Sequence, residues 1–351
     1  MKKILLFICA FVCALSACKD TGRTLTSATG SIYEMLVVMD KPMWEGTLGE
    51  VAKGCMGADM PCLPQMEPYF SVTQVSPAMF DDFLKPTRNV LYFDINPDRY
   101  TQCKLKYQTD VWSQPQAVCR IQAPSADEVL PFFEQEKENI RAWFVRQEIT
   151  RQGRFYRNYK ATDAREAVQR RFGSDISIPD DYLLVRDSAD FVWAVNDGGS
   201  LRRDLVIWSY PYTSQDQLTR EALLQKRDEV LGKNVSATLE GTYMGTEFKH
   251  FPPVFEAINV NKRWCAEVRG LWKMQGGEAM GGPFVQHTRI DEINNRVVTA
   301  EVYIFAPGQK KRNPLRQAEA ILYTLRLPQE INQLKEITTS PDLPLGEELE
   351  N

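Results

Sequence analysis

Three stretches of this 351-residue chain run in one order, strands and then a capped helix: residues 69–147, 175–232 and 266–325. In the first, Tyr69–Val75, Asn89–Ile95 and Ala117–Gln122 are short apolar runs of strand length. Ser125-Ala-Asp-Glu128 follows, a serine three residues ahead of a glutamate, which lets each side chain satisfy the other's backbone amide at a helix start. Phe133, Ile140 and Phe144 then share one helical face, so a helix is predicted to about Gln147, with Pro131 either kinking it or marking its start. In the second, strands at 175–178, 182–186, 191–196 and 204–210 precede a helix opening at Ser214-Gln-Asp-Gln217 and ending at Gly232. In the third, strands at 266–273, 284–290 and 296–305 precede a helix that opens at Asn313-Pro314. The three sequences are too unlike to be a repeat. Their shared order predicts an α+β protein, antiparallel-rich sheets with helices packed on one face, and two related subdomains.

Ahead of these, Tyr33–Met39 reads as a buried strand and Pro42–Gly54 as a helix. Residues 56–68 read as a proline-bearing loop, and Asp163–Phe172 as a helix stopped by Gly173. The chain begins with Lys2 and Lys3 ahead of an apolar run, Ile4–Ala17, broken only by Ser16. A bilayer span needs about 20 apolar residues, so the run has the proportions of a secretory signal instead. It ends Leu15-Ser16-Ala17-Cys18, which resembles the bacterial lipobox. That resemblance implies cleavage before Cys18 and acylation of its thiol and new amine. Several acyl chains, at about 0.8 kcal/mol per buried CH₂, anchor stably.

The expected organisation is therefore a signal over 1–17 and a lipidated cysteine with a flexible tether over 18–30. An N-terminal α+β subdomain follows over 31–150, then a C-terminal one over 151–327 and a disordered acidic tail over 328–351. The expected location is the cell envelope: a bacterial membrane, the outer one, with the body in the periplasm or at the cell surface. Lys19-Asp20-Thr21 has a single acid, so an acidic surface-export run is not seen.

Formal charge is −4, and about −6 once Lys2 and Lys3 leave with the signal. An acidic body argues against a nucleic-acid partner and lends no support to electrostatic docking on anionic lipid. Five cysteines remain beyond Cys18: Cys55, Cys62, Cys103, Cys119 and Cys265. Export permits disulfides. The local pairs Cys55–Cys62 and Cys103–Cys119 are candidates, and buried small hydrophobes are the alternative. No Cys-x-x-Cys spacing occurs and the chain has two histidines, so no metal site is expected. No cofactor is expected beyond the covalent lipid.

Nucleophile-elbow, phosphate-loop, zinc-protease and calcium-loop patterns are all missing. His250 and His287 read as surface and strand residues. The most unusual stretch is Arg263-Trp-Cys-Ala-Glu-Val-Arg-Gly-Leu-Trp272 with the glycine-rich segment to Phe284. Trp264, Arg269, Trp272, Gly281, Gly282 and Phe284 are its candidate binding residues. Two readings stand: a rigid loop beside an aromatic platform that holds a glycan, peptide or partner, or a strained turn packed on core tryptophans.

The lipobox, the Arg-Gly-Leu-Trp…Met-Gly-Gly-Pro-Phe-Val segment, the strand 296–307 and the helix 315–325 together resemble an uncharacterised family of Bacteroidota lipoproteins. That family is known as domain of unknown function 4837. The resemblance implies the envelope location and brings no activity, cofactor or catalytic residue. The expectation is a non-catalytic binding or assembly module that meets an envelope protein or glycan. The alternative is an envelope hydrolase using paired carboxylates.

Overall fold

The structure, a computed structural model, describes residues 25–235, 240–277 and 279–339. Cys18, the signal, most of the tether and the chain beyond residue 339 lie outside them. Fifteen strands and seven α-helices build two sheets and a two-stranded ribbon among the described residues.

The first half contains β1 (Thr26–Ser27), β2 (Glu34–Val38), α1 (Lys41–Glu45), α2 (Thr47–Met56), β3 (Ser71–Val75) and β4 (Asn89–Ile95). β5 (Lys104–Thr109), β6 (Ser113–Gln114), β7 (Ala117–Ala123) and α3 (Ala126–Asn158) complete it. Its five-stranded sheet runs β3-β2-β4-β7-β5, parallel except for the β5–β7 pair. A parallel sheet buries both faces. One face lies under α2 and α3 through Met35, Val37, Leu91, Phe133 and Phe144. The other carries Leu36, Val38, Val90 and Val118, roofed by Phe80, Leu84 and Trp112 from loops.

The second half contains α4 (Thr162–Phe172), β8 (Leu183–Asp187), β9 (Phe191–Asp197), β10 (Arg202–Pro211) and α5 (Arg220–Asn234). β11 (Tyr243–Glu247), β12 (Val254–Val260), β13 (Arg263–Gln275), β14 (Gly281–Asp291), β15 (Arg296–Phe305), α6 (Arg312–Leu322) and α7 (Pro328–Thr339) follow. The eight strands form one antiparallel sheet, β13-β14-β15-β10-β9-β8, and β11 and β12 share the outer edge of β13. Because side chains alternate along each strand, the sheet has two apolar faces. One packs under α4 and α6 through Val285, Val298, Val302, Ile321 and Phe172. The other packs under α5 through Trp208, Val268, Trp272, Phe284 and Leu224.

The α+β class holds, with two differences of detail. Helices cover both faces of the large sheet, and the N-terminal sheet is mostly parallel. The helix expected to stop near Gln147 continues to Asn158 and runs through Pro131. Its early turns bury Val129, Phe133 and Ile140 in the first core, while Ile149 and Tyr156 enter the second. The expected division at residue 150 thus falls inside an element that serves both cores. α7 occupies residues expected as the start of a tail, held by Arg289 to Glu330 at 3.0 Å and by the Gln329 amide to the Ile290 carbonyl at 2.9 Å. Residues 175–178 form only an isolated bridge, Asp175 to Arg326. Gly173 ends α4 as expected: at φ 60° it sits in the left-handed region and donates to the Gln169 carbonyl.

No disulfide forms among the described residues. The Cys55 thiol donates to the Lys137 carbonyl at 3.3 Å and the Cys62 thiol to the Arg269 carbonyl at 3.4 Å, so the two turn to different elements. Cys119 is buried in the first core opposite Tyr107 of β5, while Cys103 lies ahead of that strand. No described helix is long and apolar enough to cross a membrane.

Candidate functional site

The register of β13 separates the expected site residues. Trp264 and Trp272 lie on the same face, eight residues apart, which is about 26 Å along a strand. Trp272 is 3% exposed, packs edge-on to Tyr303 at 5.6 Å, and donates its indole N–H to the Ile304 carbonyl at 3.2 Å. Phe284 is wholly buried in the same layer. Gly282 pairs with Trp272, and a Cβ on it would stand 1.9 Å from the Ile304 oxygen. A Cβ on Gly281 would stand 2.7 Å from the Trp272 oxygen. These glycines lie in β14 and permit close strand approach, so this end of the segment is packed sheet, neither an open binding loop nor a strained turn.

Arg269 points to the opposite face. It binds Glu267 at 2.7 Å and pairs with Glu319 of α6. Glu267 also meets His287 at 2.9 Å, and Arg316 meets Glu319 at 3.0 Å. All five side chains are buried. Burial alone would raise the Glu319 carboxyl, but Arg269 and Arg316 outweigh it and hold it below its ordinary value. This closed ion cluster is a packing device between sheet and helix, with each acid already matched to a cation.

Trp264 is different. It is 43% exposed and stands on the wall of an open groove of about 1120 Å³. Ile290 of β14 and Phe255 of β12 lie beside it, and Pro252 and Pro253 enter from the β11–β12 loop. The opposite wall is Tyr212, Leu218 and the start of α5. That start is doubly capped. Ser214 and Gln217 satisfy each other's backbone in a short 3₁₀ turn, and Thr219 then caps α5 by accepting from the Ala222 amide. Tyr212 is pinned by its amide donating to the Asn295 carbonyl at 3.1 Å. The walls are therefore set by caps and strand register. A smaller recess of about 520 Å³ continues past Arg220 and Glu221 to Leu224 and the exposed Phe248.

Below α5 the sheet face is sealed. Arg227 clamps Glu301 with both arms, at 2.8 and 2.7 Å, and lies 3.8 Å over the Phe284 ring. Of the acids among the described residues, Glu221 alone lines the main groove. The hydrogen bond from Arg220 holds its carboxyl below the ordinary value, the wrong direction for a proton donor. No cluster of metal-ligating side chains occurs among the described residues. The groove offers apolar and aromatic surface with one ion pair at its edge.

Fold and groove together define an α+β protein with a preformed aromatic groove between an edge strand and a helix start. The chain is a domain-of-unknown-function protein: residues 161–324 match the family described as Domain of unknown function (DUF4837). Residues 28–157 match a second family, Domain of unknown function (DUF8532). No curated protein matches the chain in sequence. Among solved structures, the Saccharomyces cerevisiae Ran-binding protein Mog1p is 8% identical, covering 44% of this chain and 90% of its own, with a TM-score of 0.28. The human StarD13 lipid transfer and protein localization domain is 11% identical, covering 41% and 88%, with a TM-score of 0.21. Scores this low establish no shared fold or function.

Proposed function

We propose that this chain is an envelope lipoprotein, anchored through Cys18, whose body is a non-catalytic binding module. Its ligand is a polypeptide segment of an envelope partner, presenting apolar side chains to the groove at Trp264. One observation carries the reading: Trp264 stands half-exposed in an otherwise well-buried strand, beside Phe255 and Pro253. A tryptophan in a preformed apolar groove is the kind of side chain that dominates interface energetics. Capped walls keep the ordering cost of binding low. A glycan would call for a denser set of hydrogen-bonding groups than this lining has.

Affinity capture from detergent-solubilised envelope tests the groove. Trp264→Ala and Phe255→Ser each lower recovery of one recurring polypeptide at least tenfold, while Ile293→Ala, an exposed hairpin-tip change, leaves it unaltered. Equal recovery by all three excludes the groove as the contact. Metabolic lipid labelling tests the anchor. Cys18→Ser abolishes both label and membrane retention, and retained label excludes Cys18 as the attachment point.

A further inference from the structure

Two large apolar side chains on the loop between β3 and β4, Met79 and Phe83, stand 65% and 85% exposed. Neither core nor groove uses them. The loop that carries them is braced. Pro77–Met79 forms a 3₁₀ turn, and the Asp81 carbonyl accepts from the Leu84 and Lys85 amides at 3.1 and 3.0 Å. The Asp81 carboxylate accepts from the Phe83 amide at 3.0 Å, and Asp82 pairs with Lys85 at 2.7 Å. Phe80 and Leu84 turn inward to roof the parallel sheet. Phe80 packs edge-on against Tyr92 at 5.7 Å and Trp112 at 5.4 Å. With those two turned in, Met79 and Phe83, each one residue ahead, are held out in water. Apolar surface fixed outward by a braced loop marks a contact with something apolar.

The base of this loop is bonded to the segment by which the chain enters the body. The Thr29 amide donates to the Pro86 carbonyl at 2.9 Å, and the Thr29 carbonyl accepts from the Arg88 amide at 3.0 Å. The Ser113 hydroxyl donates to the same Pro86 carbonyl at 2.9 Å, and Ser113 pairs with Thr26 in the β1–β6 ribbon. Phe83 is three residues from Pro86, about 10 Å at most, and Leu25 is four residues from Thr29, about 14 Å at most. Counting on from Leu25, Cys18 is seven residues away, so a lipid there holds the bilayer surface within about 25 Å of Leu25. The loop therefore stands on the side of the body that the anchor holds against the membrane.

We propose, resting on the lipid-anchor reading above, that Met79 and Phe83 are a second membrane contact. They enter the boundary between headgroups and acyl chains of the bilayer in which Cys18 is anchored. Apolar side chains on a surface element settle about 5–10 Å into that boundary, with a strength set by the apolar area they bury. Asp81 and Asp82 against Lys85 leave the loop one acid in excess, so the contact is with apolar lipid and does not draw on anionic headgroups. Two side chains alone bind weakly. The acyl anchor makes their contact intramolecular, which raises its effective concentration. One anchor and one inserted loop fix an orientation that an anchor alone leaves open.

The test places the full chain, purified from membranes, in phosphatidylcholine vesicles doped with a phospholipid that carries a photoactivatable diazirine at the top of its acyl chain. Adducts are mapped by peptide mass. They concentrate on residues 79–84, and Met79→Ser with Phe83→Ser lowers their yield by about tenfold. Met79→Leu with Phe83→Leu retains the yield. So does Met66→Ser, a control side chain 86% exposed beside Glu67, which binds the Lys311 and Arg312 amides at the start of α6. High salt and added phosphatidylglycerol leave the yield unaltered. Adducts spread evenly over the body, undiminished in the Ser pair, or lost in high salt overturn the proposal. So does a photoreactive residue at position 83 that in the envelope joins one polypeptide and no lipid, which assigns the loop to a protein partner. The mass of the N-terminal peptide in the same digest reads Cys18 acylation separately. An acylated Cys18 with no adducts on the loop overturns the loop contact alone, and an unmodified Cys18 overturns the anchor on which it rests.

Discussion

At the scale of single residues, the alternation of one strand decides which conspicuous side chains are available. The strand expected over 266–273 contains Trp272 and leaves out Trp264; the two share a face only because β13 starts at Arg263, and Tyr303 and the Ile304 carbonyl cover only the second. That cover comes from β15, a strand distant in sequence, so it is invisible to local pattern. Trp272→Ala is expected to cost about 3–5 kcal/mol by opening a core void, and Trp264→Ala less than about 1 kcal/mol. Chemical denaturation of both variants measures the contrast, and equal losses would refute the assignment of one to core and one to groove. Gly282→Ala forces a methyl against the Ile304 oxygen. Its expected cost is about 3 kcal/mol or more, and a variant that melts with the parent would show that these strands do not approach so closely.

At the scale of elements, the parts read correctly from sequence are those whose signal is local. The strand 296–305, the Gly173 stop and the Ser125 start all follow from periodicity and capping. β12 was hidden because Pro252-Pro253 ahead of it reads as loop and Glu256 and Asn259 blur its alternation. With it went the floor of the groove. β5 was hidden by its polar edge character, Lys104 and Lys106 on an outer strand, a usual defence against edge pairing. The α6–sheet cluster was equally unreadable, since Arg269, Glu267, Arg316 and Glu319 meet only through tertiary packing. It has a pH signature. Glu319 and Glu267 titrate lower in the folded protein than in the unfolded chain, where glutamate lies near 4.3. Their stabilisation is fully present above that value and is lost as pH falls through the lower folded values. Thermal melts should therefore hold from pH 7 to about 5 and drop below about 4, with Glu319→Gln lowering the neutral-pH melt and flattening the acid slope. An unchanged acid slope would contradict the cluster's role.

At the scale of the whole molecule, two families of unknown function meet in one chain, and α3 joins them by entering both cores. The cysteines bear on that body directly. Burial pushes the Cys119 and Cys265 thiols up to about 12. Alkylation of the native protein at pH 8 should miss both, and alkylation after unfolding without reductant should label all five body cysteines. A missing pair would reveal a disulfide and overturn the arrangement of Cys55, Cys62, Cys103 and Cys119 described above.

The docking of a partner segment in the groove at Trp264, proposed above, is read out by a photoreactive amino acid in place of Phe255. Illumination of intact cells should yield one discrete adduct at position 255, absent from the exposed hairpin position 293 and abolished when Trp264 is also changed to Ala. Equal adducts at both positions, or a position-255 adduct indifferent to Trp264→Ala, would contradict the account.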